Sequence, residues 1–133
     1  MRYFAYGANM DTTGMAGRCP GAALLGPARL PGYRFVIARA GFAGLDPDPS
    51  SDVHGVMWQL TPTDVAALDV FEGVAEGLYR KAVFSIDGGP ALVYVPADRE
   101  RGKPTAAYLS GVVAAARRHG FPGDYVKEIE GWG

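Results

Sequence analysis

The sequence is poor in the residues that most often announce a function. It has one cysteine, Cys19, so an internal disulfide is impossible, which fits a reducing cytoplasm. It has two histidines, His54 and His119, far apart and without neighbouring ligands, so neither begins a metal site. There is no excess of positive charge: thirteen Lys and Arg against fourteen Asp and Glu leave a net charge of −1, with no basic footprint for nucleic acid. No apolar run approaches the roughly 18 residues of a membrane span. The opening MRYFAYG lacks the apolar stretch and small-residue cleavage site of a secretory signal. There is no GxSxG elbow, and Cys19 precedes Pro20 with no local base, which argues against a covalent nucleophile. Neither GxxxxGK[ST] nor GxGxxG is present, so no phosphate-cradling loop is expected.

What remains is globular. The 133 residues are 48% hydrophobic and 20% charged, enough for one full core and one expected domain over residues 1–133. Nineteen glycines and ten prolines predict many turns between short elements.

Residues 2–6 read as a strand that stops in Gly7-Ala8-Asn9. A small-residue turn there can be punctuation, or a ring of backbone N–H groups facing an anion. Asn9–Arg18 reads as a short helical segment capped by Asn9 or Asp11. Residues 22–30 and 33–39 read as two strands parted by Pro31-Gly32, and residues 41–52 as a loop. Val53–Leu60 is the clearest central strand. Residues 61–73 carry a helix signature: Thr61 as cap, Pro62 in the first turn, Asp64 three residues after the cap, and Gly73 at the end. Residues 79–86 and 91–95 form a hairpin around residues 87–90, residues 104–119 a further helix, and residues 121–129 a turn with one more short helix. Strands and helices out of strict alternation predict an α+β fold. Strands apolar on both faces suggest that its mostly antiparallel or mixed sheet is curved or closed.

Among the carboxylates, Glu72 stands apart. It lies in LDVFEGV at a helix end, with apolar neighbours on several sides. The negative pole of a helix and burial beside Phe71 both favour its neutral form and raise its pKa toward that of a general acid/base. Tyr3, Tyr6, Tyr79, Tyr94 and Tyr108 are core candidates whose hydroxyls need partners, so some of them should face a polar cavity.

Three segments together resemble one family. YFAYGANM (3–10) resembles the YGSN-type opening of the γ-glutamylcyclotransferases, LDVFEGVAEGLYRK (68–81) their acidic second signature, and GFPGDYVKEI (120–129) their closing segment. The resemblance implies a small mixed or antiparallel β-barrel with flanking helices, and a cofactor-independent enzyme that releases 5-oxoproline from a γ-glutamyl amide and frees the amine. By position it makes Glu72 the catalytic glutamate. It assigns Tyr3, Phe4, Ala5, Tyr6, Gly7 and Ala8 to the loop that binds the glutamyl group, and Tyr108 to substrate contact. The turn completed by Asn9 then holds either the α-carboxylate or the developing oxyanion. Ala8 stands where the family usually has serine, which removes a hydroxyl but no backbone N–H. The implied partner is a small γ-glutamyl substrate, with neither nucleic acid nor membrane, in a cytoplasmic monomer or homodimer. Two alternatives stay open: a non-catalytic binding domain on the same scaffold, and a γ-glutamylamine cyclotransferase of a biosynthetic or isopeptide-degrading pathway.

Overall fold

Strand β1 (Arg2–Ala5) is short and occupies the middle of the sheet. Its residues Tyr3, Phe4 and Ala5 are all buried, as a strand covered on both faces requires. The computed structural model describes residues 1–133. After β1 come a 3-10 turn (Ala8–Met10) and helix α1 (Thr12–Arg18), then strands β2 (Ala23–Ile37) and β3 (Ala43–Gln59) and helix α2 (Pro62–Phe71). The chain continues through strands β4 (Tyr79–Ile86) and β5 (Gly89–Pro96) to helices α3 (Ala106–Arg118) and α4 (Gly123–Glu130). None of the helices is long and apolar enough to cross a membrane.

The five strands form one sheet in the order β2-β3-β1-β5-β4. It is mixed, because β1 runs parallel to β5 while the other pairs are antiparallel. The fold is therefore α+β with flanking helices, as expected. The expected barrel is not formed, because the sheet does not close. β2 and β4 remain its two edges. They meet only through side chains, with the rings of Tyr33 and Phe84 5.1 Å apart.

Several boundaries follow local chemistry. At the start of α2 the Thr61 hydroxyl accepts the Asp64 N–H (3.2 Å), while the Asp64 carboxylate accepts the Thr61 N–H (3.0 Å) and hydroxyl (2.9 Å). That is a reciprocal capping box with Pro62 at the first helical position. Asp87 and Gly88 turn β4 into β5 with positive φ at both residues, 51° and 78°, the twist a two-residue hairpin favours. Helix α3 buries Leu109, Val112, Val113 and Ala116 along one stripe of period 3.6.

Two expectations need correction. Residues 23–37 form one strand, not two, and Pro31-Gly32 marks only a shift of register within it. Residues 43–52, expected as loop, are the first half of β3. Pro47 and Pro49 fit there because β1 pairs only with residues 56–59 of β3. The 43–52 half therefore pairs with β2 alone, and the pairing jumps from Pro47 opposite Tyr33 to Asp52 opposite Pro31, so Pro49 lies among residues without a β2 partner, where a missing N–H costs no ladder bond.

Candidate active site

The C-terminal end of α2, the turn after β1 and the N-terminal part of α3 converge on a cavity of about 350 Å³. Glu72 is the residue that ends α2, its N–H donating to the Leu68 carbonyl (2.8 Å). Gly73 follows at φ +63°, a conformation that glycine adopts without steric cost, and turns the chain away. The Glu72 side chain is thereby left against the cavity, and burial pushes its pKa up to about 7 while the nearby Arg18 guanidinium works against the rise.

The opposite wall is built on Asn9, 2% exposed. Its carbonyl accepts the Trp58 indole N–H (3.1 Å), which fastens the turn to β3. Its amide oxygen accepts from Arg18 Nη1 (2.8 Å). That bond aims the amide nitrogen at the Tyr3 hydroxyl oxygen (3.0 Å) and, at the longer distance of 3.5 Å, at Glu72 Oε1. The Arg18 guanidinium also lies 4.1 Å from the centre of the Phe71 ring, a cation–π contact beside Glu72. Arg18 and Glu72 are the only charged side chains that line the cavity.

The 3-10 turn uses its own hydrogen bonds from Met10 N–H to the Gly7 carbonyl and from Asp11 N–H to the Ala8 carbonyl. The N–H groups of Ala8 and Asn9 head the turn and take no part in those bonds. Gly7 is required by close approach: a Cβ there would sit 2.9 Å from the Tyr108 hydroxyl and 3.0 Å from the Ala43 Cβ.

Five tyrosines line the cavity, and their hydroxyls divide into two groups. Tyr6 donates to the Tyr94 carbonyl (2.7 Å), Tyr94 to Asp69 Oδ1 (2.7 Å), and Tyr79 to the Ala43 carbonyl. Tyr3 and Tyr108 instead accept, from Asn9 Nδ2 and from the Ala43 N–H (3.0 Å). Neither gives its proton to a protein acceptor, so both can donate into the cavity. Burial raises the pKa of Tyr3 far above the ordinary phenol value and that of Tyr108 to about 12, so both stay protonated at neutral pH.

Of the residues singled out in the sequence, Tyr3, Tyr6, Gly7, Ala8, Asn9, Glu72 and Tyr108 meet at this cavity. Phe4 and Ala5 do not line it; both are fully buried in the core. Sequence reasoning missed Arg18, Phe42, Ala43, Phe71 and Leu78 as lining residues. Arg18 closes a short helix nine positions after Asn9, and no sequence period links the two. The histidines are placed elsewhere: His54 packs against Tyr125 (4.7 Å between rings), and His119 Nε2 lies 2.7 Å from the Met10 carbonyl oxygen, bracing the far end of the turn.

Residues 52–129 match the AIG2-like family, and the chain belongs to it. Across 96% of its length it is 27% identical to the γ-glutamylcyclotransferases of Bos taurus and Homo sapiens, covering 76% of each. Among solved structures, a γ-glutamyl cyclotransferase superposes with a TM-score of 0.84 at 25% identity, over 98% of this chain and 86% of that one. An uncharacterized Homo sapiens protein superposes at 0.87 with 26% identity, over 97% of this chain and 85% of that one. The fold and the order of its elements are therefore those of the γ-glutamylcyclotransferases.

Proposed function

We propose that the protein is a γ-glutamylcyclotransferase that cleaves a γ-glutamyl amide into 5-oxoproline and a free amine. The observation that carries this reading is Glu72, a carboxyl with a pKa near 7 at the wall of a cavity of about 350 Å³. A carboxyl of that pKa exchanges a proton readily at neutral pH, the property asked of a general acid/base.

Glu72 takes one proton from the substrate's α-ammonium. The freed nitrogen attacks the γ-carbonyl carbon, and a C–N bond closes a five-membered ring. The amide C–N bond then breaks, and the departing nitrogen takes the proton from Glu72. The ring nitrogen then gives up its second proton to the Glu72 carboxylate so regenerated, and the released amine takes it, so two protons in all pass from one nitrogen to the other through Glu72 and no water is consumed. Ring closure within one molecule has a large effective molarity once the chain is folded for it, so holding that shape is much of the task. The Tyr3 and Tyr108 hydroxyls and the Asn9 N–H are the donors offered to the carboxylate and to the oxyanion, the Ala8 N–H being turned toward the Tyr108 oxygen. A largely apolar wall strengthens each of those bonds. A pure binder would gain nothing from a carboxylate held against burial, which weighs against a non-catalytic role.

The test is a product assay. The protein is incubated with γ-glutamyl amino acids, γ-glutamyl amines and glutathione, and 5-oxoproline is read by mass spectrometry, with Glu72→Gln as the control. Product that is lost in the variant is expected. No product from any compound, with ligand-induced thermal stabilisation intact, would instead favour a binding domain.

A further inference from the structure

The cavity has a polar, closed floor and an apolar mouth. Tyr94 and Asn9 are 2% exposed and Tyr6 5%, whereas Phe42, Phe71 and Leu78 are 41%, 44% and 41% exposed. Three separate segments supply those three side chains. Phe42 comes from the turn between β2 and β3 and stacks edge-on against Tyr108 (5.2 Å between centroids). Phe71 is the last residue of α2. Leu78 is folded back beside Gly73 by its N–H bond to the Gly73 carbonyl (3.0 Å). Single exposed apolar side chains are ordinary, but three gathered at the rim of one cavity form a patch that a ligand can cover. Among the side chains that line the cavity, Glu72 is the only carboxylate and Arg18 the only cation, and Arg18 is already engaged with Asn9 and Phe71.

We infer that Phe42, Phe71 and Leu78 form the leaving-group subsite, and that the preferred substrates release an amine bearing an apolar or aromatic side chain. The inference rests on the cyclotransferase reading. If the glutamyl end fills the polar floor, Glu72 must reach the nitrogen that departs, and whatever that nitrogen carries extends past Glu72 into the mouth. A leucine or phenylalanine side chain there removes apolar surface on both partners from water. A lysine or glutamate side chain would lose hydration and gain no partner.

The test compares γ-glutamyl-leucine, γ-glutamyl-phenylalanine, γ-glutamyl-glycine, α-linked γ-glutamyl-lysine and γ-glutamyl-glutamate as substrates. Expected is a kcat/KM about tenfold higher for the leucine and phenylalanine compounds than for the glycine compound, with lysine and glutamate below glycine. In Phe42→Ala/Leu78→Ala the leucine-to-glycine ratio should fall to about 3 or less. Leu78→Ala alone serves if the double variant fails to fold. Equal rates across the panel, or a ratio that survives the substitutions, would overturn the inference while leaving the cyclotransferase reading intact. If no compound yields 5-oxoproline, that reading fails, and the subsite is then judged by calorimetric binding of the same compounds. Tighter binding of the apolar pair that is lost in Leu78→Ala sustains it, and flat affinities reject it.

Discussion

Helix α2 carries a carboxylate at each end, and the two behave in opposite ways. Asp64 lies in the first turn and is only 2% exposed. Burial pushes its pKa up, but the N–H and hydroxyl of Thr61 and the N–H of Gly21 (3.3 Å) outweigh that push and hold it below the usual carboxylate range. Glu72 lies at the other end, where the helix dipole disfavours a negative charge, and its only hydrogen-bonding neighbour is Asn9 at 3.5 Å. Its pKa rises to about 7. Burial alone therefore does not make an acid/base. Burial without compensating donors does, and the same helix supplies a structural anion at one end and a titrating group at the other.

The largest effect should come from removing the titrating member. Glu72→Gln is expected to lower 5-oxoproline turnover by about 10²–10⁴. The same variant reports on the sign of the shift. The folded pKa is raised, so the folded chain binds the Glu72 proton more tightly than the unfolded chain does. That favours folding at low pH and is lost as pH rises through about 7. At pH 8 Glu72→Gln should be more stable than the native chain by about 1–2 kcal/mol, part of the full effect being screened by solvent. The difference should close below about pH 4.5, and urea unfolding at the two pH values measures it. A gap independent of pH would erase the contrast between the two ends.

Asp64→Ala should do the reverse. It removes the acceptor for three hydrogen bonds and destabilises the protein by about 2 kcal/mol at pH 7. Its folded pKa is lowered, so its contribution is present at neutral pH and is lost only in strong acid, as pH falls below the ordinary aspartate range near 3.8. Urea midpoints at pH 7 and pH 3 check both parts. The smallest effect should come from the one cation that faces Glu72. Arg18→Met should move the Glu72 midpoint further above 7, and the acid limb of the pH–rate profile should move with it. Carbon-13 NMR of the Glu72 carboxyl reads the midpoint directly. An unmoved midpoint would show that donors, not charge, are the whole difference.

Helix α2 was also the most legible part of the chain. Thr61, Pro62, Asp64 and Gly73 act within one or two turns of their own backbone, so local rules placed both ends. Glu72 was legible for the same reason, as a carboxylate among apolar neighbours at a helix terminus. The first half of β3 was not, because Pro47 and Pro49 announce a loop unless the partner on each side is known, and pairing is set by residues more than a dozen positions away. Phe4 and Ala5 share a continuous motif with Tyr3 and Tyr6, yet they end in the core and not at the cavity. Arg18, Phe42 and Leu78 arrive at the cavity from three segments whose meeting only the sheet order produces.

Ala43 has an ordinary side chain and two committed backbone groups: its N–H is held by the Tyr108 hydroxyl and its carbonyl by that of Tyr79. One peptide segment at the turn end of the β2–β3 hairpin is thereby tied to helix α3 and strand β4 together. The backbone of Phe42, the residue before Ala43, is held as well, its carbonyl accepting the Ala38 N–H (2.9 Å). The conformational entropy of that corner is therefore surrendered during folding and not when substrate arrives. A site assembled this way binds with little further ordering, and the substrate's own interaction energy remains available for bending it into the ring-closing shape.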